Sequence, residues 1–339
     1  MDEAHGTPDA VIEPDRPIID PHLHLWDIAP GRGQAGHRFL LDEARAMLEA
    51  SGHHFTHTVY VECSQMYRPD GPEALRSLGE TEFATGIAAM SASGAYGPVR
   101  INHRIVAAAN LRLGDGLERV IEQHRARAGE RLVGFRDDTV YSAEGLWGFP
   151  CDPARKGRIA SEAFITGARV LARLDLGLDL WCVHTQLPDV IALADAVPDL
   201  AITLDHLGTP ECTGRWADTP QEAFAAWRAS LGELAQRANV RIKLGGMGMN
   251  IAHGLVPADG GATSRELAEL WRARIEVAVE AFSPRRAMFE SNFPPDRAAG
   301  SYGATWNAFK RIACGWSDDE KDWLFRRTAA EAYRIDLAR

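Results

Sequence analysis

The 339-residue chain reads as an α/β protein, a single-domain (β/α)8 TIM barrel, and three observations predict that fold. Eight short apolar runs rich in β-branched residues each precede a stretch of helical periodicity, and such alternation means parallel strands joined by right-handed crossovers. The length suits eight of these units, which favours a closed barrel over an open doubly wound sheet. No Gly-x-Gly-x-x-Gly and no Walker motif follows any strand, which weakens the nucleotide-binding alternative.

Residues 1–17 carry Asp2, Glu3, Asp9, Glu13 and Asp15 and read as a flexible, loosely ordered arm, with the barrel and its C-terminal helices filling 18–339. The first strand is Ile18-Ile19-Asp20-Pro21-His22-Leu23-His24-Leu25-Trp26, followed by a polar connection and a helix from Leu40 to Ser51. The second strand is His57–Glu62, and after a loop a helix runs from Pro72 to about Ser91, where Gly94 and Gly97 break it. Arg104–Asn110 is the third strand, and Asp115 caps a helix reaching Ala128. Arg131–Arg136 is the fourth, followed by a loop from Asp137 to Arg158 of a length usually associated with function. Helix Ser161–Leu176 leads to the fifth strand, Leu178–His184, and helix Leu187–Ala196 to the sixth, Ala201–His206. Helix Pro220–Ala238 leads to the seventh, Val240–Leu244, after which Gly245, Gly246 and Gly248 open a long loop to Thr263, the cap of helix Ser264–Phe282. The eighth strand is Ala287–Asn292, and helices Tyr302–Cys314 and Ser317–Ile335 close the chain.

With 45% hydrophobic and 25% charged residues, the composition is that of a soluble globular enzyme. The formal net charge is −10 with no long basic run, which argues against nucleic acid or an anionic membrane as a partner. No apolar stretch approaches the ~20 residues that span a bilayer, and the acidic N-terminus lacks the apolar region of a signal peptide. Five cysteines without a Cys-x-x-Cys spacing make neither a disulfide framework nor a zinc knuckle, so a reducing cytoplasm is the expected compartment. A small-molecule substrate is the expected partner, and assembly into a homo-oligomer stays open.

In a (β/α)8 barrel the active site lies where the strands end, so the strand-end residues are the candidates. They are His22 and His24, Glu62, Asn110, Arg136, His184, His206, Lys243, and Glu290 with Asn292. Asp20, His22 and His24 share one face of a strand by the two-residue repeat. Paired imidazoles on a rigid strand suit a divalent metal, or polarise a carbonyl without one. Glu62, Arg136 and Lys243 are expected to bind substrate, and Trp26, Tyr67, Trp147 and Phe293 to wall the pocket.

The motifs Asp20-Pro-His22-Leu-His24-Leu-Trp26, Gly134-Phe-Arg136, His184-Thr-Gln-Leu-Pro188, Leu204-Asp-His206-Leu-Gly208, Lys243-Leu-Gly-Gly246 and Phe289-Glu-Ser-Asn-Phe-Pro294 appear in barrel order. As a set they resemble the amidohydrolase superfamily, in its amidohydrolase-related branch of pyrone-dicarboxylate, sugar-acid and muconolactone-type lactonases and, more distantly, zinc-dependent decarboxylases. The resemblance implies metal-binding or carbonyl-polarising roles for His22, His24 and His184, a strand-six role for His206, and a carboxylate-anchoring role for Arg136. It implies at most one ion, Zn2+ or another divalent metal on His22, His24 and His184, because the fourth strand lacks the lysine that bridges two; a metal-free mechanism is equally in keeping with the branch. Where the family usually has an aspartate at the end of strand eight, this chain has Asn292, whose amide cannot take a proton from water. Glu290, two residues earlier, is the expected replacement base, with burial expected to raise its pKa. The implied activity is hydrolysis of a lactone or cyclic ester of a small carboxylated metabolite. The alternatives are a metal-dependent decarboxylase of an aromatic or muconate acid, and a catalytically weakened member that binds a metabolite.

Overall fold

A computed structural model describes residues 10–28, 37–146, 149–249 and 261–338. Its strands are β1 (Ile18–Leu23), β2 (Trp26–Ile28), β3 (His37–Phe39), β4 (Phe55–Val61), β5 (Arg100–Ala108), β6 (Leu132–Arg136), β7 (Gly177–Leu180), β8 (Ile202–Leu204), β9 (Val240–Leu244) and β10 (Ala287–Phe289). Eight of them form one parallel sheet in the order β1-β4-β5-β6-β7-β8-β9-β10, and β2 with β3 makes a small antiparallel ribbon. The seam between β1 and β10 closes at the carboxyl ends. There Asn292 N donates to His22 O at 3.1 Å and His24 N donates to Phe293 O at 2.9 Å. The barrel is thus tied shut by the two strand ends that carry its histidine pair and its asparagine.

The helices are α1 (Leu41–Ala50), α2 (Leu78–Ala92), α3 (Leu117–Ala128), α4 (Glu162–Arg173), α5 (Leu187–Ala196), α6 (Arg215–Asp218), α7 (Pro220–Leu234), α8 (Ser264–Phe282), α9 (Tyr302–Ile312), α10 (Asp318–Asp322) and α11 (Thr328–Tyr333). Local chemistry sets several boundaries: Ser161 caps α4, and Thr263 with Glu266 forms a capping box on α8. Large buried side chains such as Trp227, Trp271, Trp306, Phe309 and Phe325 fill the layer between sheet and helices. Inside the barrel, Ile19, Val59, Val61, Val106, Val133 and Met288 pack against Ala329, Ala330 and Tyr333 of α11. That packing fills the interior from one end and leaves the other for polar chemistry.

Several expected elements end earlier. The fifth, sixth and eighth strands stop at Leu180, Leu204 and Phe289, short of His184, His206 and Asn292. His184 and His206 each open a 3-10 turn, and left-handed backbone at His206 (φ 56°), Leu207 (φ 58°) and Asn292 (φ 51°) takes the chain out of the pleat. The helix expected to reach Ala238 ends at Leu234, the one expected over Ser317–Ile335 is interrupted by a π turn at Trp323–Arg327, and Gly116, not Asp115, occupies the cap of α3. The loose arm expected over 1–17 is anchored from Ala10 onward. Asn307 bonds Ile12 N and Ala10 O, Lys321 pairs with Glu13 at 2.7 Å, and Arg16 with Asp318 at 2.7 Å. Residues 1–9 lie outside the described residues. No helix among the described residues is long and apolar enough to cross a membrane.

Candidate active site

A cavity of about 1040 Å3 opens at the carboxyl ends of the strands. Of the residues expected there, His24, Trp26, Glu62, Tyr67, Asn110, Arg136, His206 and Asn292 line it. Trp147 lies outside the described residues, and Phe293 packs against Tyr302 in the core instead.

His22 and His24 face each other through their Nε2 atoms at 3.1 Å, both buried. His24 Nδ1 lies 2.8 Å from Val61 O, and since a carbonyl only accepts, Nδ1 carries the proton and Nε2 is bare. Burial first, then the neighbouring His22 and Arg136, hold His24 well below the usual histidine range. His22 is lowered for the same first reason, with Lys243 second. Both imidazoles are therefore neutral, the form that binds metals. Asp20, expected on the same face, is turned away by the register irregularity between Asp20 and Leu23. Its carboxylate accepts from Ser291 N and Oγ and from the Tyr302 hydroxyl, bracing β1 against the turn after β10.

Glu290 is fully buried between the rings of His22 and His206. Its Oε1 accepts from His206 Nδ1 at 2.7 Å and from His206 N at 2.9 Å, and its Oε2 lies 2.8 Å from His22 Nδ1. Burial pushes this carboxyl up, as the sequence suggests, but His206 and His22 outweigh it and its pKa is lowered. Glu290 does not reach the cavity wall, so its geometry suits orienting imidazoles rather than touching water. Gly246 makes room for this arrangement. A Cβ at that left-handed position (φ +69°) would fall 2.3 Å from His206 Nδ1.

Two expected substrate cations are already engaged. Lys243 is fully buried, 2.7 Å from Asp179 Oδ2, 3.0 Å from Asp205 Oδ1 and 3.0 Å from His22 Nδ1, so it cannot hold a ligand at the cavity wall. Burial opposes its charge, but Asp179 and Asp205 raise its pKa well above the usual lysine value. Arg136 does line the cavity, while its guanidinium binds Glu62 Oε1 at 2.7 Å and Asp205 Oδ2 at 3.1 Å. Glu62 thus holds Arg136 rather than standing free for substrate.

The donor set is compatible with a divalent metal, though not on the histidine triad implied by the sequence. His184 is set apart. Its Nδ1 accepts from Glu211 N at 3.1 Å, its ring meets the edge of Trp216, and it is absent from the cavity wall. Because β7 has ended four residues earlier, strand alternation no longer aims that side chain. His22, Asp205 and His206 bring ligand atoms within 4.8 Å of one another, but the Lys243 ammonium already sits against two of them. A second group lies at and just behind the cavity wall, where the bare Nε2 of His24, the Nε2 of His22 and Asn292 Oδ1, 3.3 Å from His24 Nε2, converge, with Arg136 Nη1 3.4 Å from His22 Nε2. In the buried network, Lys243 and Arg136 face Asp179, Asp205, Glu62 and Glu290, so carboxylates outnumber cations around the site.

Sequence reasoning passes over Asp179, Asp205, Asp296 and Glu80. For the first two a signal exists, an acid set within an apolar strand run, since a buried charge requires a partner. Asp296 is buried in the 3-10 turn Pro295–Ala298 that follows β10; its Oδ1 accepts from Asn292 Nδ2 at 2.6 Å and its Oδ2 from Gly248 N at 2.8 Å. Glu80 braces the cavity wall by accepting from Cys63 N, Gln65 N and the Tyr60 hydroxyl. Burial, then Glu62, pushes Glu80 up to about 8. An acid raised in the folded state costs stability as pH climbs from its unfolded value of about 4.3 toward its folded one. Denaturant midpoints of the wild type are therefore expected to fall between about pH 5 and pH 8, and those of Glu80→Gln to fall less. Parallel curves would exclude Glu80 as the source.

Comparison with known proteins agrees with this architecture. The family model described as amidohydrolase matches residues 19–335. An uncharacterized protein of Sinorhizobium fredii, y4mH, is 30% identical over 334 residues, covering 94% of this chain and 98% of that protein. An L-fucono-1,5-lactonase of Burkholderia multivorans is 26% identical over 328 residues, covering 94% and 96%. A crystal structure of an amidohydrolase from Burkholderia multivorans with bound zinc superposes with a TM-score of 0.71 at 26% identity, covering 94% of this chain and 99% of that one. With the match spanning nearly the whole barrel and its mouth histidines, the chain belongs to the amidohydrolase family.

Proposed function

We propose that this protein is a lactonase, opening a lactone or cyclic ester of a small carboxylated metabolite by attack of water on the carbonyl. The observation that carries the reading is the His206–Glu290 dyad, 2.7 Å apart, whose histidine lines the same cavity as His24 and Asn292 while the glutamate stands behind it. With Nδ1–H given to Glu290, His206 keeps a lone pair on Nε2 and is the general base in place of Glu290. It takes a proton from water as the water oxygen bonds to the carbonyl carbon. When the ring C–O bond breaks, it returns that proton to the leaving oxygen. Arg136, on the same wall, faces the negative charge that develops on the carbonyl oxygen. Arg76 and Arg112, exposed on the cavity wall, supply positive charge for a substrate carboxylate in place of Lys243. His22, His24 and Asn292 would hold one divalent ion, Zn2+ by the nature of the two imidazoles, which when bound adds Lewis-acid polarisation of the carbonyl. The L-fucono-1,5-lactonase relative supports this reaction class.

The test is a panel of sugar lactones and carboxylated lactones, followed by ring opening, with metal content measured on protein purified without added metal or chelator. Lactone opening is expected, and Glu290→Gln is expected to lower kcat about 10- to 100-fold by disorienting two imidazoles. Carbon dioxide release from aromatic acids with no lactone opening would replace this proposal with a decarboxylase.

A further inference from the structure

We propose that Asp296 is a positioning residue that turns the Asn292 carbonyl oxygen toward the bare nitrogen of His24, and so builds the cradle for a cation or a water proton at the cavity wall. The inference concerns the same site as the proposed lactonase and rests on that reading only for its kinetic consequence.

His24 Nδ1 gives its proton to Val61 O at 2.8 Å, so Nε2 only accepts. The Asp296 carboxylate takes the amide NH2 of Asn292 at 2.6 Å and the Gly248 N–H at 2.8 Å. With its NH2 committed, Asn292 presents Oδ1 to His24 Nε2 at 3.3 Å. Two acceptors facing each other at that distance, both buried, gain nothing unless something positive lies between or beside them. His22 Nε2 lies 3.1 Å from His24 Nε2; with Lys243 donating to its Nδ1 at 3.0 Å, it is His22 Nε2 that carries the ring proton and points it at this pair of acceptors, the place a cation would take. Without the carboxylate at 296 the amide would turn over and donate its N–H to His24 Nε2. That flip would satisfy both groups locally and remove the electron pairs that bind a cation. The acid missing from position 292 is thus present one turn later and acts through the amide.

Gly248 N–H makes the test sharp. In Asp296→Asn the single side-chain oxygen is claimed by that backbone donor, so the new NH2 faces Asn292 and forces its amide to turn over. In the swapped variant Asn292→Asp with Asp296→Asn, the carboxylate at 292 accepts from the amide at 296 and again presents oxygen to His24. All three proteins are close to isosteric, and thermal denaturation checks that each is folded. On the alkaline side of neutrality, Asp296→Asn is expected to weaken Zn2+ or Co2+ binding about 10- to 100-fold and to lower kcat with little change in KM, while the swapped variant recovers both. Long-range 1H–15N NMR of the imidazole nitrogens reads the orientation without metal or substrate. The His24 Nε2 resonance should shift as for an accepted amide N–H in Asp296→Asn and return in the swapped variant. An unshifted resonance in Asp296→Asn, or a swapped variant that stays like it, overturns the proposal. Absence of lactone turnover with the expected NMR shift would instead overturn only the lactonase reading.

Discussion

Lys243→Met should destabilise the protein by about 3–5 kcal/mol, the range found when one partner of a buried ion pair is removed. Methionine keeps most of the stem, so the packing change is small and the effect is electrostatic. Lys243 is fully buried and stands between Asp179 on β7 and Asp205 after β8, and without it two carboxylates remain in the barrel interior. Asp205 keeps Arg136, but among the described residues Asp179 keeps only the Tyr333 hydroxyl, 2.8 Å away, donated from α11. Guanidinium denaturation of wild type and variant measures the difference. Adding Asp179→Asn to Lys243→Met should recover part of it, because the uncompensated charge is then removed as well. A loss below about 1 kcal/mol in the single variant would mean that Asp179 and Asp205 take up protons at little cost, contrary to the charge balance described here.

Lys243 also shows where sequence reasoning stops. Alternation of strands and helices depends on local periodicity, and the order of barrel strands follows from short right-handed connections, so the architecture is legible from the chain. The place of His24 and Glu62 at the barrel mouth is legible too, because β1 and β4 end one residue before them, although the engagement of Glu62 with Arg136 is not. The partner of a buried charge is a different matter, set by residues far apart in sequence. Nothing local separates a lysine that faces substrate from one that neutralises Asp179, or a glutamate that activates water from one that bridges His22 and His206. The early ends of β7, β8 and β10 compound this, since the two-residue repeat stops predicting direction once the backbone leaves the pleat.

His24→Ala and His184→Ala separate the site seen in the structure from the triad expected from sequence. His24 lines the cavity, its Nδ1 is fixed by Val61 O, and its bare Nε2 meets His22 and Asn292. Its removal deletes a polarising or ion-holding group at the cavity wall, a loss expected to lower kcat/KM about 10^2- to 10^3-fold, or roughly 3–4 kcal/mol in the barrier. His184 is just as buried, yet its ring nitrogen receives Glu211 N–H and its ring meets Trp216, away from the cavity wall. Its replacement leaves a buried backbone donor unpaired, so it should cost about 1–3 kcal/mol of stability while changing kcat/KM less than about tenfold. The two variants should therefore exchange order between a denaturation curve and a rate measurement. Equal losses of kcat/KM would place His184 in the catalytic group with His24 and restore the triad on β1 and the turn after β7.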